Sequence, residues 1–98
     1  GPDTVQATQG DFDWWELDNI AVKGKEKPLR IYTVHKQTKE HVTWLKNYYA
    51  GNWDACFDTA RKCSKAAPKM SEYYAKMCER MRQGKPADWN GIYKATSK

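Results

Sequence analysis

Apolar and polar side chains alternate along the first third of the chain in the manner of β-strands. Phe12, Trp14 and Glu16 alternate with Asp13, Trp15 and Leu17, and Ile20 and Val22 then alternate across Ala21. A second run of β-branched and aromatic residues follows at Leu29–Val34. The polar stretch between them contains Gly24, which is typical of a turn, and Pro28 stands where the second strand would begin. The pattern predicts a β-hairpin. Because two strands alone are marginally stable in water, we expect the hairpin to pack on the helices that follow or on another sheet.

Beyond Gln37 the spacing of apolar residues changes to three or four, which is the period of an α-helix. A first helix is expected from about Thr38 to Ala50. The Thr38 hydroxyl can accept a backbone N–H at the helix start, and Gly51 can adopt the left-handed conformation that ends many helices. Together with the hairpin, this helix indicates a chain of the α+β class.

Two more helices and a tail are expected after the first helix. One begins at the N-cap Asn52 and ends before Pro68, and the next runs from about Ser71 to Gln83. The last fourteen residues are mostly polar and predict an irregular tail, held in place by Trp89. Each helix carries one apolar stripe. The stripes are formed by Trp53, Cys56, Phe57, Ala60, Cys63 and Ala67 in the second helix and by Tyr73, Tyr74, Met77, Cys78 and Met81 in the third.

The composition supports a folded chain. Aromatic residues make up 13% of the 98 positions, with five Trp and six Tyr, and disordered segments lack such side chains. No apolar run approaches the roughly 18 residues that span a bilayer. The net charge of +5 is mild and is explained by a solvated surface, although a basic, aromatic chain can also bind single-stranded nucleic acid.

Cysteine and histidine residues do not indicate a metal or catalytic site. The three Cys are odd in number, include no Cys-x-x-Cys pair and fall on predicted apolar helix faces. Buried free thiols in a reducing compartment are therefore expected. His35 and His41 lie six residues apart without Cys or acidic partners at metal-site spacing, so we expect them to have hydrogen-bonding or surface roles.

One segment resembles part of a known family. Residues 16–34, ELDNIAVKGKEKPLRIYTV, comprise a strand, a Lys-Gly-Lys turn and a Pro-x-x-Ile-Tyr strand. This ordered set resembles the hairpin that closes the catalytic domain of class III adenylate and guanylate cyclases. The resemblance implies that Lys23 contacts the nucleotide triphosphate, with Lys25 as a second candidate, since ammonium groups beside a tight glycine turn can reach a phosphate. If the resemblance to the family is set aside, the residues of this turn alone indicate a solvated hairpin tip.

The same resemblance implies what the chain lacks. Cyclases of this class bind Mg²⁺ or Mn²⁺ through two aspartates, and they stabilise the transition state with an Asn and an Arg, all upstream of the hairpin. Asp11, Asp13 and Asp18 lack the surrounding family sequence, so we expect them to be surface charges. The chain is therefore expected to be inactive alone, with an upstream catalytic segment as its partner and a homodimeric parent enzyme.

A second resemblance lies in the predicted second helix. The second half of a tetratricopeptide repeat (TPR) has a Gly, a polar residue, an aromatic residue, two small residues and a Pro at fixed positions. The matching residues are Gly51, Asn52, Trp53, Cys56, Cys63 and Pro68. Small side chains at these positions let two helices approach closely, and Cys is small enough. Since one repeat cannot bury its own face, a repeat-like helical unit is expected rather than a peptide-binding superhelix.

Many bacterial class III cyclases carry such a tail after the hairpin, with a late Trp-x-Gly that Trp89-Asn90-Gly91 matches. The predicted organisation is an expression scar at 1–2, a cyclase hairpin at 3–36 and a helical tail at 37–98. The predicted fold is α+β, an antiparallel hairpin followed by three helices in a TPR-like arrangement.

The resulting hypothesis is the C-terminal part of a cytoplasmic nucleotide cyclase, whose parent is soluble or membrane-anchored. The tail would have a structural, dimerisation or docking role, with a possible protein partner and without nucleic acid or direct membrane contact. Its expected interaction surface comprises Trp44, Tyr48, Tyr49 and Trp53. The alternative is a freestanding TPR-like protein-interaction module with no nucleotide chemistry.

Overall fold

The structure, a computed structural model, describes residues 13–95 and divides them into two compact units. The first, here called the sheet unit, comprises residues 13–37 and 92–95, and the second, the helical unit, comprises residues 38–91. Three strands form one unit and three α-helices the other, so the predicted α+β class is confirmed. The boundary after Gln37 agrees with the change of period, but residues 92–95 group with the hairpin rather than with the helices.

The sheet unit is built on an antiparallel hairpin with one added strand. Strand β1 spans Asp13–Ala21, β2 spans Leu29–His35 and β3 spans Tyr93–Lys94. The order is β2-β1-β3, with β3 parallel to β1. The expectation of an irregular tail is wrong for Tyr93 and Lys94, because a strand of two residues is too short to show a period.

A β-bulge at Leu17 interrupts the alternation of β1. Glu16 pairs with Tyr32 and Asp18 pairs with Ile31, so the register shifts at Leu17, which is the extra residue of β1. An extra residue shifts the pleat by one position. The buried side chains of β1 are therefore three residues apart, at Trp15 (0% exposed) and Asp18 (4%).

The helices begin and end close to the predicted residues. Helix α1 spans Lys39–Ala50, α2 spans Trp53–Ala66 and α3 spans Ser71–Arg82, with a short 3-10 turn at Pro68–Met70 between the last two. The Thr38 hydroxyl accepts a hydrogen bond from the His41 N–H at 3.1 Å, which confirms it as the N-cap. Gly51 ends α1 in the left-handed conformation with φ of +87°.

The core of the helical unit lies between its three helices. Helix α1 supplies His41, Trp44 and Tyr48, which are 2% exposed or less. At the contact of α1 with α2, the Cys56 thiol donates to the Trp44 carbonyl at 3.5 Å, while the Trp44 indole donates to the Cys56 carbonyl at 3.3 Å. Helix α3 adds Tyr74, Met77, Cys78 and Met81. Small thiols at the contact permit close approach, as the TPR resemblance implies, but the TPR-like arrangement stays a prediction.

Candidate functional site

A tight turn forms the tip of the hairpin. The Lys25 N–H donates to the Val22 carbonyl at 3.0 Å, which places Lys23 and Gly24 at the two central positions of a four-residue turn. Gly24 has φ of +89°, a conformation that glycine adopts without strain and that the third residue of a type II turn requires. This turn lies at the start of the connection over residues 22–28 and leaves a lysine on either side of the glycine.

The lysines of the tip are open to solvent. Lys23, Lys25 and Lys27 are all exposed, and Glu26 is the acidic residue of the same loop. Within residues 13–95 neither Lys23 nor Lys25 takes part in an ion pair. The ammonium group of lysine is a point charge on a flexible four-carbon stem, which gives it a long reach. Both predicted phosphate-binding residues are thus placed where an anionic ligand could approach them.

The strand that leads into the turn is held on both sides. Ile20 pairs with Leu29 of β2 and with Tyr93 of β3. One residue later, the Ala21 carbonyl accepts a hydrogen bond from the Ala95 N–H at 3.0 Å. Backbone pairing on two sides fixes the end of β1, so the turn projects from a rigid base. This pairing with β3 could not be predicted from the sequence, because a two-residue strand has no period to detect.

Further along the hairpin, one ion pair and one ring contact join β1 to β2. Arg30 donates to the Glu16 carboxylate at 2.6 Å, across the same face of the sheet. The rings of Trp14 and Tyr32 meet edge to face at 6.1 Å. Cross-strand pairs of these kinds stabilise a sheet. Both pairs support the antiparallel register and leave the tip lysines uninvolved.

Asp18 is buried rather than exposed, which corrects the expectation of a surface charge. It is 4% exposed, and one of its oxygens accepts the Asn19 N–H at 2.8 Å. Asp13 is exposed, and Asp11 lies outside the described residues. Among residues 13–95 no group of three or more His, Cys, Asp or Glu side chains could hold a metal ion.

Two residues of the expected interaction surface belong to the core. Trp44 is 0% and Tyr48 1% exposed, so a partner cannot contact them in this structure, and their place on that surface is corrected. Their rings stack at 6.0 Å. The aromatic spacing that suggested a surface is equally the spacing of a helix that faces a core.

The other two aromatic residues, Tyr49 and Trp53, are half-buried around the end of α1. The Trp53 indole donates to the Tyr48 carbonyl at 3.0 Å. A Cβ placed on Gly91 would lie 3.4 Å from the Tyr49 carbonyl oxygen. The Trp53 side chain therefore helps to close the helix end, and an interaction surface at Tyr49 and Trp53 stays a prediction.

His35 and His41 have separate environments. His41 is buried in the helical unit, where its Nδ1 lies 2.7 Å from the Tyr74 hydroxyl oxygen. In the sheet unit, the His35 ring lies 4.7 Å from that of Trp15, and its Nδ1 is 2.7 Å from the Lys36 carbonyl oxygen. The hydrogen-bonding roles expected for the two histidines are what these contacts provide.

The three cysteines are free and buried, as predicted. Burial raises the pKa of Cys56 to about 12 and that of Cys63 to about 11, from an ordinary value of 9.0. Burial likewise raises the pKa of Cys78. A thiol with so high a pKa holds little thiolate near neutral pH, and thiolate is the reactive form. These residues are packing groups of the core and not nucleophiles.

Neither a protein-family model, nor a curated protein, nor a solved structure matches this chain. Within the described residues, none of the helices has the length and apolar character needed to cross a bilayer. Any functional assignment accordingly depends on the chain's own residues and their geometry.

Proposed function

We propose that this chain is the C-terminal part of a class III nucleotide cyclase, which converts a nucleoside triphosphate to its 3′,5′-cyclic monophosphate and pyrophosphate. The observation that carries the proposal is the hairpin tip. Its strand, glycine turn and strand have the order of the family hairpin, and its two flanking lysines are exposed. In the parent enzyme the tip would meet a nucleotide held mainly by upstream segments, in a homodimer.

Lys23 would act on the phosphates as a positioned charge. Cyclisation transfers negative charge to the departing pyrophosphate, and a cation aimed at that charge lowers the barrier when its position is fixed beforehand. The paired end of β1 supplies the fixed base, and the flexible side chain supplies the reach. Lys25, two residues on, would add a second charge. By the family resemblance, Mg²⁺ or Mn²⁺ would be bound by two aspartates upstream of this hairpin.

The helical unit would have a structural, dimerisation or docking role in that enzyme. Its caps and its aromatic core are supplied by its own residues, and the described residues of this unit contain no cluster of metal ligands. Removing residues after Gln37 from the parent would test this role, since full activity and full dimerisation of the truncated enzyme would end it.

A complementation experiment tests the proposal as a whole. The chain is mixed with a protein that carries the upstream catalytic segment, and cyclic nucleotide formation is measured from ATP and from GTP. Activity that requires both pieces is the expected result. No activity with a partner piece shown to be folded would count against the cyclase and favour the second candidate.

The second candidate is a TPR-like protein-interaction module without nucleotide chemistry. It is favoured by the compact helical unit, in which a core of large aromatic side chains supports outward-facing helix surfaces. Under this hypothesis Lys23→Ala would change no nucleotide-dependent property, and the helices would bind a protein ligand.

A further inference from the structure

Helix α3 and the 3-10 turn before it present an outer face that meets the core at Tyr73 and Met77. From Lys69, the side chains of Tyr73, Lys76 and Arg80 follow at intervals of four, three and four residues. This spacing places the three residues of α3 on one side of the helix. They border a shallow, open groove. The residues that line it are Lys69, Glu72, Tyr73, Lys76, Met77 and Arg80. The groove thus combines three cations and one acid with an aromatic and a thioether side chain.

Arg80 is held in position by the core beneath it. Its guanidinium donates to the Tyr48 hydroxyl at 2.6 Å and lies 5.9 Å from the centre of the Tyr48 ring. Tyr48 is itself 1% exposed and cannot move freely. A guanidinium that is already oriented loses less conformational entropy when it binds a carboxylate.

Lys76 is held only weakly. It pairs with Glu72 at 3.2 Å, but the two side chains are 73% and 79% exposed. Ion pairs this open to solvent contribute little to stability. An incoming carboxylate can therefore replace Glu72 at Lys76 at small cost. Lys69, seven residues earlier in the chain, is exposed as well.

The Tyr73 side chain lies at the base of the groove between these charged residues. It is half-buried, and its ring contacts those of Trp44 at 5.6 Å and Tyr74 at 5.1 Å. Met77 beside it is 5% exposed. An aromatic centre within a charged rim is the usual anatomy of a protein–protein interface, and Tyr and Arg are the residue types that most often dominate binding there.

We propose that this groove binds an acidic helical segment of a partner protein, with an apolar side chain placed over Tyr73. Lys69 in the 3-10 turn and Lys76 in α3 both line the groove, so carboxylates spaced along one face of the segment would meet both. Nucleic acid fits less well, because bases stack on exposed ring faces and the Tyr73 ring is half-buried. The inference goes beyond the cyclase proposal and does not depend on it.

The test uses the full chain and a defined probe. The probe is a fluorescent, alanine-based helical peptide with Glu at i, i+4, i+7 and i+11 and one Leu between them. We expect saturable binding near physiological salt, with amide shifts in an NMR titration concentrated on residues 69–80. Charge reversal in a Lys69→Glu/Lys76→Glu variant should weaken binding about tenfold or more, since like charges now face each other.

Matched controls separate this site from general basicity. Lys62→Glu/Lys65→Glu reverses two exposed lysines of α2 and should leave the affinity unchanged. All variants should keep the wild-type circular dichroism, because the substituted side chains are exposed. Equal weakening by both double variants would overturn the proposal, as would the absence of saturable peptide binding. Tighter binding of a single-stranded oligonucleotide, falling steeply with salt, would replace it with a nucleic-acid surface.

Discussion

The indole N–H of Trp89 donates to the carbonyl of Tyr48 at 3.2 Å, and the same N–H reaches the next carbonyl, that of Tyr49, at 3.1 Å. The last carbonyls of an α-helix have no partner within the helix. The Trp53 indole also donates to Tyr48, and the Lys85 ammonium donates to the Gly51 carbonyl at 3.0 Å. The end of α1 is thus closed by side chains from the start of α2 and from the segment after α3. These contacts bear out the expected anchoring role of Trp89.

Trp89→Phe should therefore destabilise the helical unit. The substitution keeps an aromatic ring but removes the donor, and we expect the free energy of unfolding to fall by about 1 kcal/mol. Urea unfolding followed by the helical circular dichroism signal measures the change. Trp89→Ala, which also removes the ring contact with Trp53 at 5.1 Å, should cost more. A Phe variant as stable as the wild type would show that the indole bonds contribute nothing.

His41 and Tyr74 should be energetically coupled. Their hydrogen bond of 2.7 Å is buried, and a buried polar group that loses a partner costs about 1–3 kcal/mol. We expect Tyr74→Phe to lower the free energy of unfolding by that amount. A double-mutant cycle with His41→Ala measures the pair itself, and a coupling free energy of about 0.5 kcal/mol or more is expected. Strictly additive effects would contradict the interaction.

Alkaline pH should destabilise the helical unit through its thiols. Burial raises the folded-state pKa of Cys56 to about 12 and of Cys63 to about 11, so the unfolded chain, with thiol pKa values near 9.0, releases protons first. The stabilisation is complete below pH 9 and is lost as pH rises towards 11 to 12. Tyr74, whose pKa burial also raises, acts in the same direction. Denaturation midpoints measured at increasing pH give the slope of stability against pH.

Two outcomes check this account of the thiols. Cys56→Ala should reduce the loss of stability on the alkaline side, because one of the shifted groups is gone. Native protein at mildly alkaline pH should resist a thiol reagent, and all three cysteines should react in denaturant. Rapid modification of the native chain would contradict the burial of these residues.

Gly24 should be required for the shape of the hairpin tip. A Cβ at this position would meet no atom within 4 Å, so any cost of Gly24→Ala arises from the φ of +89° alone. We expect a loss of about 1 kcal/mol. The loss should appear as faster hydrogen exchange of the Lys25 amide, which donates to the Val22 carbonyl. Gly24→Asn, which tolerates positive φ better, should lose less, and equal exchange in all three proteins would refute the turn.

Local signals in the sequence identified most of the helical unit. Thr38 and Gly51 mark the ends of α1 because capping depends on neighbouring residues alone. The spacing of the aromatic residues could not show whether Trp44 and Tyr48 face a core or a partner, because an apolar stripe with the helical period is found in both cases. That choice depends on how the three helices pack.

The sheet unit was less predictable from its sequence. The hairpin follows from alternation and a glycine turn, but the bulge at Leu17 does not, because it depends on the register with β2. The bulge moves Asp18 to the buried side of the strand, which is why the prediction that Asp18 is a surface charge was wrong. Strand β3 forms only by pairing across more than seventy residues of sequence with Ile20 and Ala21, and no local pattern reports such a contact.

The contribution of Lys23 to nucleotide cyclisation is the most direct test of the cyclase proposal. In the two-piece enzyme, kcat for ATP and for GTP is compared between wild type, Lys23→Ala and Lys27→Ala, the last being a matched control because Lys27 is exposed in the same loop. The proposal predicts a fall on the order of tenfold to a hundredfold for Lys23→Ala and little change for Lys27→Ala. Equal activity of all three enzymes would contradict a role for this lysine at the phosphates.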